Sequence, residues 1–420
     1  MSLSPRWPAA LALAAAGLLC TAALPTLAAD ERLLGAARAA EPALIQSLRE
    51  MVAIESGTTD RPGLSAMADY AERRLKALGL QVERRKASAG NGDILIGQSQ
   101  GGGRRKLMLI AHMDTVYPPG TLASQPIRLD GNRLYGPGIA DDKGGIAVIL
   151  HTLAILRDAG WNDHARLTVV FNSDEESGSA GSGETIATLA EDHDVVLSYE
   201  PIVAKAVARQ EGVLLSAAGA TALTMDVKGR TSHAGAAPEQ GRSALLELAH
   251  QVVMSRDIAK AIPGAQLNWT VMNSGKIRNQ IPDTAQAVAD VRLTAAGASD
   301  QLVAALRAQA AAQRLVPDTE VSIAIAVGRP PFVGGDRTLA LARKAQAIYA
   351  ELDGRPLMLH PGTGGGTDAG FAQRSGKPAV LESLGLAGWG YHAKDEYIEI
   401  DSIVPRLYLS TRQLMELGRE

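Results

Sequence analysis

Apolar and polar positions along this chain change period several times, and each change marks an element. Around Pro42–Ile54 and Leu64–Leu80 the apolar residues fall at helical spacing, and short strands are predicted near Gln81–Ala87 and Asp93–Gly97. Three short runs follow in which polar interruptions nearly vanish: Lys106–Ala111, Leu167–Asn172 and Val195–Tyr199. Near-continuous apolar runs of this length predict strands buried on both faces of a sheet. Between the first two, Ile146, Ile149, Leu150 and Leu153 recur at i, i+3, i+4 and i+7, the stripe of an amphipathic helix. Strand, helix, strand in alternation predicts an α/β sheet.

The texture changes after about Glu211. Ala222–Lys228 alternates as a half-buried strand, and a helix is expected near Ser243–Ile258. Strands near Leu267–Asn273 and Thr284–Leu293, a helix around Asp300–Arg314 and a strand Glu320–Val327 complete the segment. This order predicts a small α+β sandwich inserted into the larger unit. The chain returns to that unit around Arg329-Pro330-Pro331, then carries a strand near Ala379–Glu382 and a last helix near Ser402–Leu417. The expected organisation is therefore a larger α/β domain over 30–212 and 327–420, with a largely parallel mixed sheet, split by an insert over 213–326. A length of 420 residues, more than one core usually organises, agrees with two domains.

Ahead of this lies Met1–Ala29: Arg6, an apolar run from Ala9 to Leu19, then small residues ending in Ala28-Ala29. The run is too short for a comfortable membrane span of about 20 residues, and its layout is that of a cleaved secretory signal. The expectation is a periplasmic or secreted protein with no stable membrane insertion once the signal is gone. The chain's one cysteine, Cys20, lies in this segment. One cysteine excludes an intrachain disulfide, a Cys-rich zinc site and an iron–sulfur cluster, so any metal must be held by His and carboxylates. The formal charge of −3, from 42 basic and 45 acidic residues, gives no basic excess for general nucleic-acid binding. With 46% hydrophobic residues the chain is not a disordered one.

The candidate chemistry sits where buried strands end. The first apolar run passes into His112-Met113-Asp114, the second into Asp174-Glu175-Glu176, the third into Glu200-Pro201, and the late strand leads on to Gly390-Tyr391-His392. Asp141 and Asp142 stand side by side just before the helix that follows the first run. In open α/β sheets these ends line the ligand crevice. Alone, His-X-Asp is a hydrogen-bonded turn, Asp-Glu-Glu a solvated helix start and Asp-Asp a helix cap. Together they would crowd carboxylates that raise each other's pKa unless a cation neutralises them. Two histidines and several carboxylates suit zinc or another divalent metal, and a two-metal site in particular. Of the remaining histidines, His151 and His250 read as structural helix residues, and His164 and His193 as solvated loop residues. His360 precedes the glycine-rich loop Gly362–Gly366, and His233, in Thr231–Gly235, is a lone loop histidine of the kind most often solvated.

The segments HMDTVYP (112–118), YGPGIADDKGG (135–145), SDEESGS (173–179), YEP (199–201), SHAGAAP (232–238) and GGGTDA (364–369) resemble the co-catalytic zinc aminoacylase/carboxypeptidase family, most of all its glutamate carboxypeptidase branch. The resemblance runs in order along nearly the whole chain after the signal. It implies two zinc ions per subunit: His112 and Glu200 on one, Glu176 and His392 on the other, and Asp141 bridging them. It implies that Asp114 orients His112 and that Glu175 is the general base for a zinc-activated water. It also implies a cis peptide between Asp141 and Asp142, and an oxyanion donor in His233, which reaches across from a partner's lid in a homodimer. Arg329 in GRPPF and Asn279 in NQIP match residues that hold the substrate's terminal carboxylate, and Arg292 matches a basic residue of the same pocket. The implied reaction releases a C-terminal amino acid, glutamate first among candidates, from an acyl, peptidyl or folate-type donor. An aminoacylase, deacetylase or dipeptidase with the same metal core is the alternative. A periplasmic amino-acid-binding protein that has lost catalysis would lack a ligand or the base, and none is missing. The stretch from Ile202 to Gly212 departs from that branch; Lys205 or Arg209 stands where a basic substrate contact is expected.

Overall fold

The three apolar runs form adjacent strands, and their side chains divide between two cores. In this computed structural model, which describes residues 28–295 and 297–420, the central sheet has six strands. They are β1 (Gln81–Lys86), β2 (Asp93–Gln100), β3 (Lys106–His112), β4 (Arg166–Asn172), β5 (Val195–Ser198) and, after the insert, β10 (Ala379–Leu381). The order is β1-β2-β4-β3-β5-β10; the first two pairings are antiparallel and the remaining three parallel. Alternation along each strand sends Leu107, Leu109, Leu167, Val169, Val195 and Leu197 to one face. Met108, Ile110, Val170 and Val196 go to the other. The expected signal lies, but for Ala28 and Ala29, outside the described residues. Among the described residues no helix is long and apolar enough to cross a membrane.

Helices α1 (Glu31–Val52), α3 (Lys143–Asp158) and α8 (Ile403–Arg419) cover the first face, and α2 (Arg61–Ala77) packs on β2. The α1 helix starts well before the predicted Pro42, which lies inside it. Asp30 caps it by accepting from the Arg32 and Leu33 N–H groups, and Leu33, Leu34 and Ala37 extend the buried stripe upstream. Two histidines expected in solvent are buried instead. His164 Nε2 lies 3.1 Å from Ser99 Oγ, and His193 bridges the Leu189 carbonyl and Thr168 Oγ1. Such short polar partners are not visible in a sequence window.

The insert builds its own four-stranded antiparallel sheet from β6 (Gly219–Lys228), β7 (Ala265–Ser274), β8 (Thr284–Leu293) and β9 (Glu320–Ile325), in the order β7-β8-β6-β9. Helices α5 (Ala244–Ser255) and α6 (Ala298–Ala312) pack against it around a separate core that includes Leu223, Met225, Leu248, Val291 and Leu302. The short strands Gly212–Leu214 and Ser216–Ala217 pair with Met358–His360 and Phe332–Val333 of the main body, so the insert's sheet begins only at Gly219.

A buried ion pair ties the last helix to the chain just before that insert. Arg406 is fully buried and donates to Glu211 Oε2 (3.1 Å) and to the carbonyls of Gly212 (2.9 Å) and Ser383 (3.2 Å). The Tyr349 hydroxyl donates to the same Glu211 oxygen. Breaking one side of such a pair leaves an uncompensated buried charge. Arg406→Met should therefore lower unfolding stability by about 3–5 kcal/mol, read as a drop in the urea midpoint. Adding Glu211→Gln should recover part of the loss, and a single variant as stable as wild type would refute this account.

Candidate active site

The parallel strands end on one side of the sheet, and the polar residues that follow them meet there. His112 closes β3, Glu175 and Glu176 lie in the turn after β4, Glu200 follows β5, and Asp141 precedes α3. Asp141 is the meeting point. Its Oδ1 lies 3.0 Å from His112 Nε2, and its Oδ2 lies 3.4 Å from His392 Nε2. Glu200 Oε1 is 3.7 Å from His112 Nε2, and Glu176 Oε2 is 3.1 Å from His392 Nε2. One carboxylate thus stands between two imidazoles, each with a second carboxylate of its own. The peptide bond from Asp141 to Asp142 is cis.

Neighbouring groups hold these side chains in place. The Asp114 carboxylate accepts from the backbone N–H of Glu175 (3.1 Å) and of Glu176 (3.2 Å) and from the Thr58 hydroxyl (2.8 Å). His112 Nδ1 is 3.0 Å from the Asp114 carbonyl and 3.3 Å from its carboxylate. Asp114 therefore reaches His112 and also fixes the turn that carries both glutamates. Asp142 accepts from the His112 backbone N–H (3.2 Å) and caps α3 through the Gly145 N–H (3.2 Å).

The electrostatics are those of too much negative charge in too little water. Burial pushes Glu175, Glu200 and Asp142 above the usual carboxylate range, and Glu176 up to about 7. Burial also opposes a charged His112, yet the Glu200 charge and hydrogen bonds to Asp114 and Asp141 hold it well above its ordinary value. Hydrogen bonds to Asp141 and Glu176 push His392 up to about 10. Asp141 is lowered despite its burial, because it accepts from both histidines. In this chain the imidazoles supply the positive charge. The donor set is nitrogen and oxygen without sulfur, and His112, Asp141 and Glu176, as well as His112, Asp142 and Glu200, offer atoms close enough to share an ion. That set suits zinc or another divalent cation.

A cleft of about 910 Å³ opens over these residues, between the main body and the cleft-facing side of the insert's sheet. Asp141, Glu175, Glu176, Glu200, Arg329 and His392 line it, and so do Tyr391, His360 and Arg292. His360, which the sequence left unassigned, stands in this wall. Along β8, Ala287, Ala289 and Val291 are buried, and the alternate Asp290 and Arg292 remain half-open. Arg292 donates to Asp290 (2.9 Å) within that wall. Arg329 does not stand alone in the cleft: its guanidinium donates to the Glu175 carbonyl and pairs with the Glu175 carboxylate. His233 and Asn279 are not brought to the cleft. They neighbour each other at the exposed end of the insert, where Ala234 N–H donates to the Asn279 carbonyl (2.9 Å).

Residues 108–416 match the family described as Peptidase family M20/M25/M40. The chain is 43% identical over 392 residues to carboxypeptidase G2 of Pseudomonas sp. (strain RS-16), covering 93% of this chain and 92% of that one. It is 31% identical over 271 residues to acetylornithine deacetylase of Myxococcus xanthus, covering 60% of this chain and 67% of that one. Among solved structures, aminopeptidase PepT from Bacillus cereus has the same fold, with a TM-score of 0.70, 20% identity and coverage of 90% and 98% of the two chains. An M20 family metallo-carboxypeptidase from Sulfolobus solfataricus also scores 0.70, at 14% identity and coverage of 89% and 99%.

The raised histidines make metal uptake a proton-releasing event. Both are raised by their carboxylate partners, and His392, pushed up to about 10, is protonated at pH 7, whereas a metal ion takes the neutral ring. Zinc binding at pH 7 should release at least the His392 proton, with a further contribution from Glu176, which is pushed up to about 7. Its apparent affinity should climb from pH 6 towards pH 10, where His392 loses its own proton. Calorimetry in two buffers of different ionisation enthalpy measures this, and binding without proton release would contradict it.

Proposed function

The chain belongs to peptidase family M20/M25/M40, and we propose that it is a zinc-dependent carboxypeptidase that releases a C-terminal amino acid, glutamate foremost, from an acyl, peptidyl or folate-type donor. One observation carries the reading: the two oxygens of Asp141 face His112 and His392, each of which has its own glutamate. We assign His112 and Glu200 to one zinc ion, Glu176 and His392 to the second, and Asp141 to both. When bound, such ions neutralise the converging carboxylates and acidify a water molecule at the scissile amide.

The chain's own groups do the rest. Glu175, raised by burial, is the general base: it takes a proton from the attacking water and passes it to the leaving amine. In the free chain its carboxylate is paired with Arg329, the group assigned to the substrate's terminal carboxylate. Substrate must therefore draw that guanidinium from Glu175, which couples recognition of a free C-terminus to release of the base. Arg292 borders the same cleft as a further contact.

His233 and Asn279 act from a partner subunit in this reading. His233 Nδ1 accepts from the N–H groups of Gly235 (3.2 Å) and Ala236 (3.0 Å), which fixes the ring proton on Nε2, the outward donor an oxyanion needs. The insert offers a surface for that partner. Strand β7 is an edge with Val271 and Met272 exposed, and Leu245, Leu246, Val253 and Met254 are exposed on α5. We assign a homodimer through this face and, from the N-terminal segment, a periplasmic or secreted location. The similarity to acetylornithine deacetylase supports amide hydrolysis of an acyl amino acid as the second reading.

Zinc content and rates on acyl-glutamate, acyl-alanine and a free dipeptide test the function; a zinc-loaded protein that cleaves none of them refutes it. Glu175→Gln should keep its metal and bind substrate at least as tightly while kcat falls about 10²- to 10⁴-fold, and a fully active variant removes Glu175 from the role of base. Leu246→Glu with Val253→Glu should give a monomer by light scattering and strip most of the activity. A dimer unaffected by that pair would place the interface elsewhere.

A further inference from the structure

One buried carboxylate lies outside every role assigned above, yet it touches three of the loops that form the site. Glu396 is almost wholly enclosed. Its Oε1 accepts from the backbone N–H of Ala140 (2.8 Å) and of Asp141 (3.0 Å), and its Oε2 from that of Gly138 (2.9 Å). The Gly136 N–H donates to its main-chain carbonyl (3.1 Å). The Tyr117 hydroxyl, from the loop that leaves His112, lies 2.8 Å from both Glu396 Oε2 and the Ala393 carbonyl. Glu396 itself ends the loop that carries His392, four residues on.

We propose that Glu396 is a positioning residue that fixes the relative placement of Asp141, His392 and His112 by tying together the three loops that carry them. The inference rests on reading those residues as metal ligands. The chemistry explains why a glutamate stands there. Three N–H donors converge on two oxygens, and a carboxylate is the side chain that presents acceptors on both. Glutamine would turn an NH₂ group towards at least one of these donors, and a shorter aspartate would not span the loops. The distances that matter belong to Asp141, whose two oxygens face histidines from opposite parts of the chain. A small rotation of the 138–141 turn would lose one histidine while moving towards the other.

The test uses zinc as the probe. Metal-free wild type, Glu396→Gln and Tyr117→Phe are titrated with zinc against a chromogenic chelator, and the melting temperature of each metal-free chain is recorded. Glu396→Gln should bind zinc about 10- to 100-fold more weakly, and excess zinc should restore most of its lost hydrolysis rate. Tyr117→Phe spares the three N–H bonds; it should weaken zinc by a smaller factor without changing the melting temperature of the metal-free chain. Wild-type zinc affinity in Glu396→Gln overturns the proposal. If Glu396→Gln fails to fold, Tyr117→Phe decides: weaker zinc at an unchanged melting temperature upholds the proposal, and unchanged affinity overturns it. Wild type that takes up no zinc would sink the metal reading itself, a result distinct from either.

Discussion

Asp141 holds two histidines apart and in register, one from the end of β3 and one from a loop 280 residues further along the chain. Much of the main body can be read as support for that meeting. The parallel strands bring His112, Glu175, Glu176 and Glu200 to one side because their apolar side chains must be buried on both faces, which fixes where each strand stops. Asp114 and Asp142 spend their oxygens on backbone N–H groups, so the segments that carry the site residues are braced by hydrogen bonds to charged acceptors.

The same convergence sets the electrical problem. Asp114, Asp141, Asp142, Glu175, Glu176 and Glu200 gather in a small buried volume. A site of that charge holds together only with positive partners. Here they are the two imidazoles and the Arg329 guanidinium, each of which a metal ion or a substrate carboxylate would engage in turn. In the proposed reading, a metal ion and a substrate carboxylate would each replace a partner that the protein's own groups supply.

Much of this was legible in the sequence because strand burial and strand ends are local signals. The runs Lys106–Ala111, Leu167–Asn172 and Val195–Tyr199 announce themselves by lacking polar residues, and the acids and histidine after them mark the crevice. What stayed hidden depends on partners distant in the chain. His164 and His193 sit in polar segments, yet a serine 65 residues away and a threonine 25 residues away bury them. The Arg329–Glu175 pair spans 154 residues, and nothing local to GRPPF predicts that its arginine rests on Glu175. Glu396 was missed for a related reason: a single glutamate after HAKD has no period and no repeat to single it out, and its donors are backbone groups without sequence identity.

The position of Arg329 bears on selectivity. If Glu175 is the base, as proposed, its guanidinium partner suppresses it electrostatically, so an amide that enters without a free carboxylate would meet a site whose proton acceptor is still engaged. A carboxylate-bearing substrate would remove the pair and supply the replacement anion. Discrimination for a free C-terminus would then arise in the catalytic step as well as in binding, because the interaction gained with substrate is linked to one lost from Glu175. In the proposed reading the insert adds a second condition, since His233 and Asn279 lie outside the cleft of their own chain and would act on a neighbour's. Under that proposal carboxylate recognition and assembly of a dimer would both precede proton transfer.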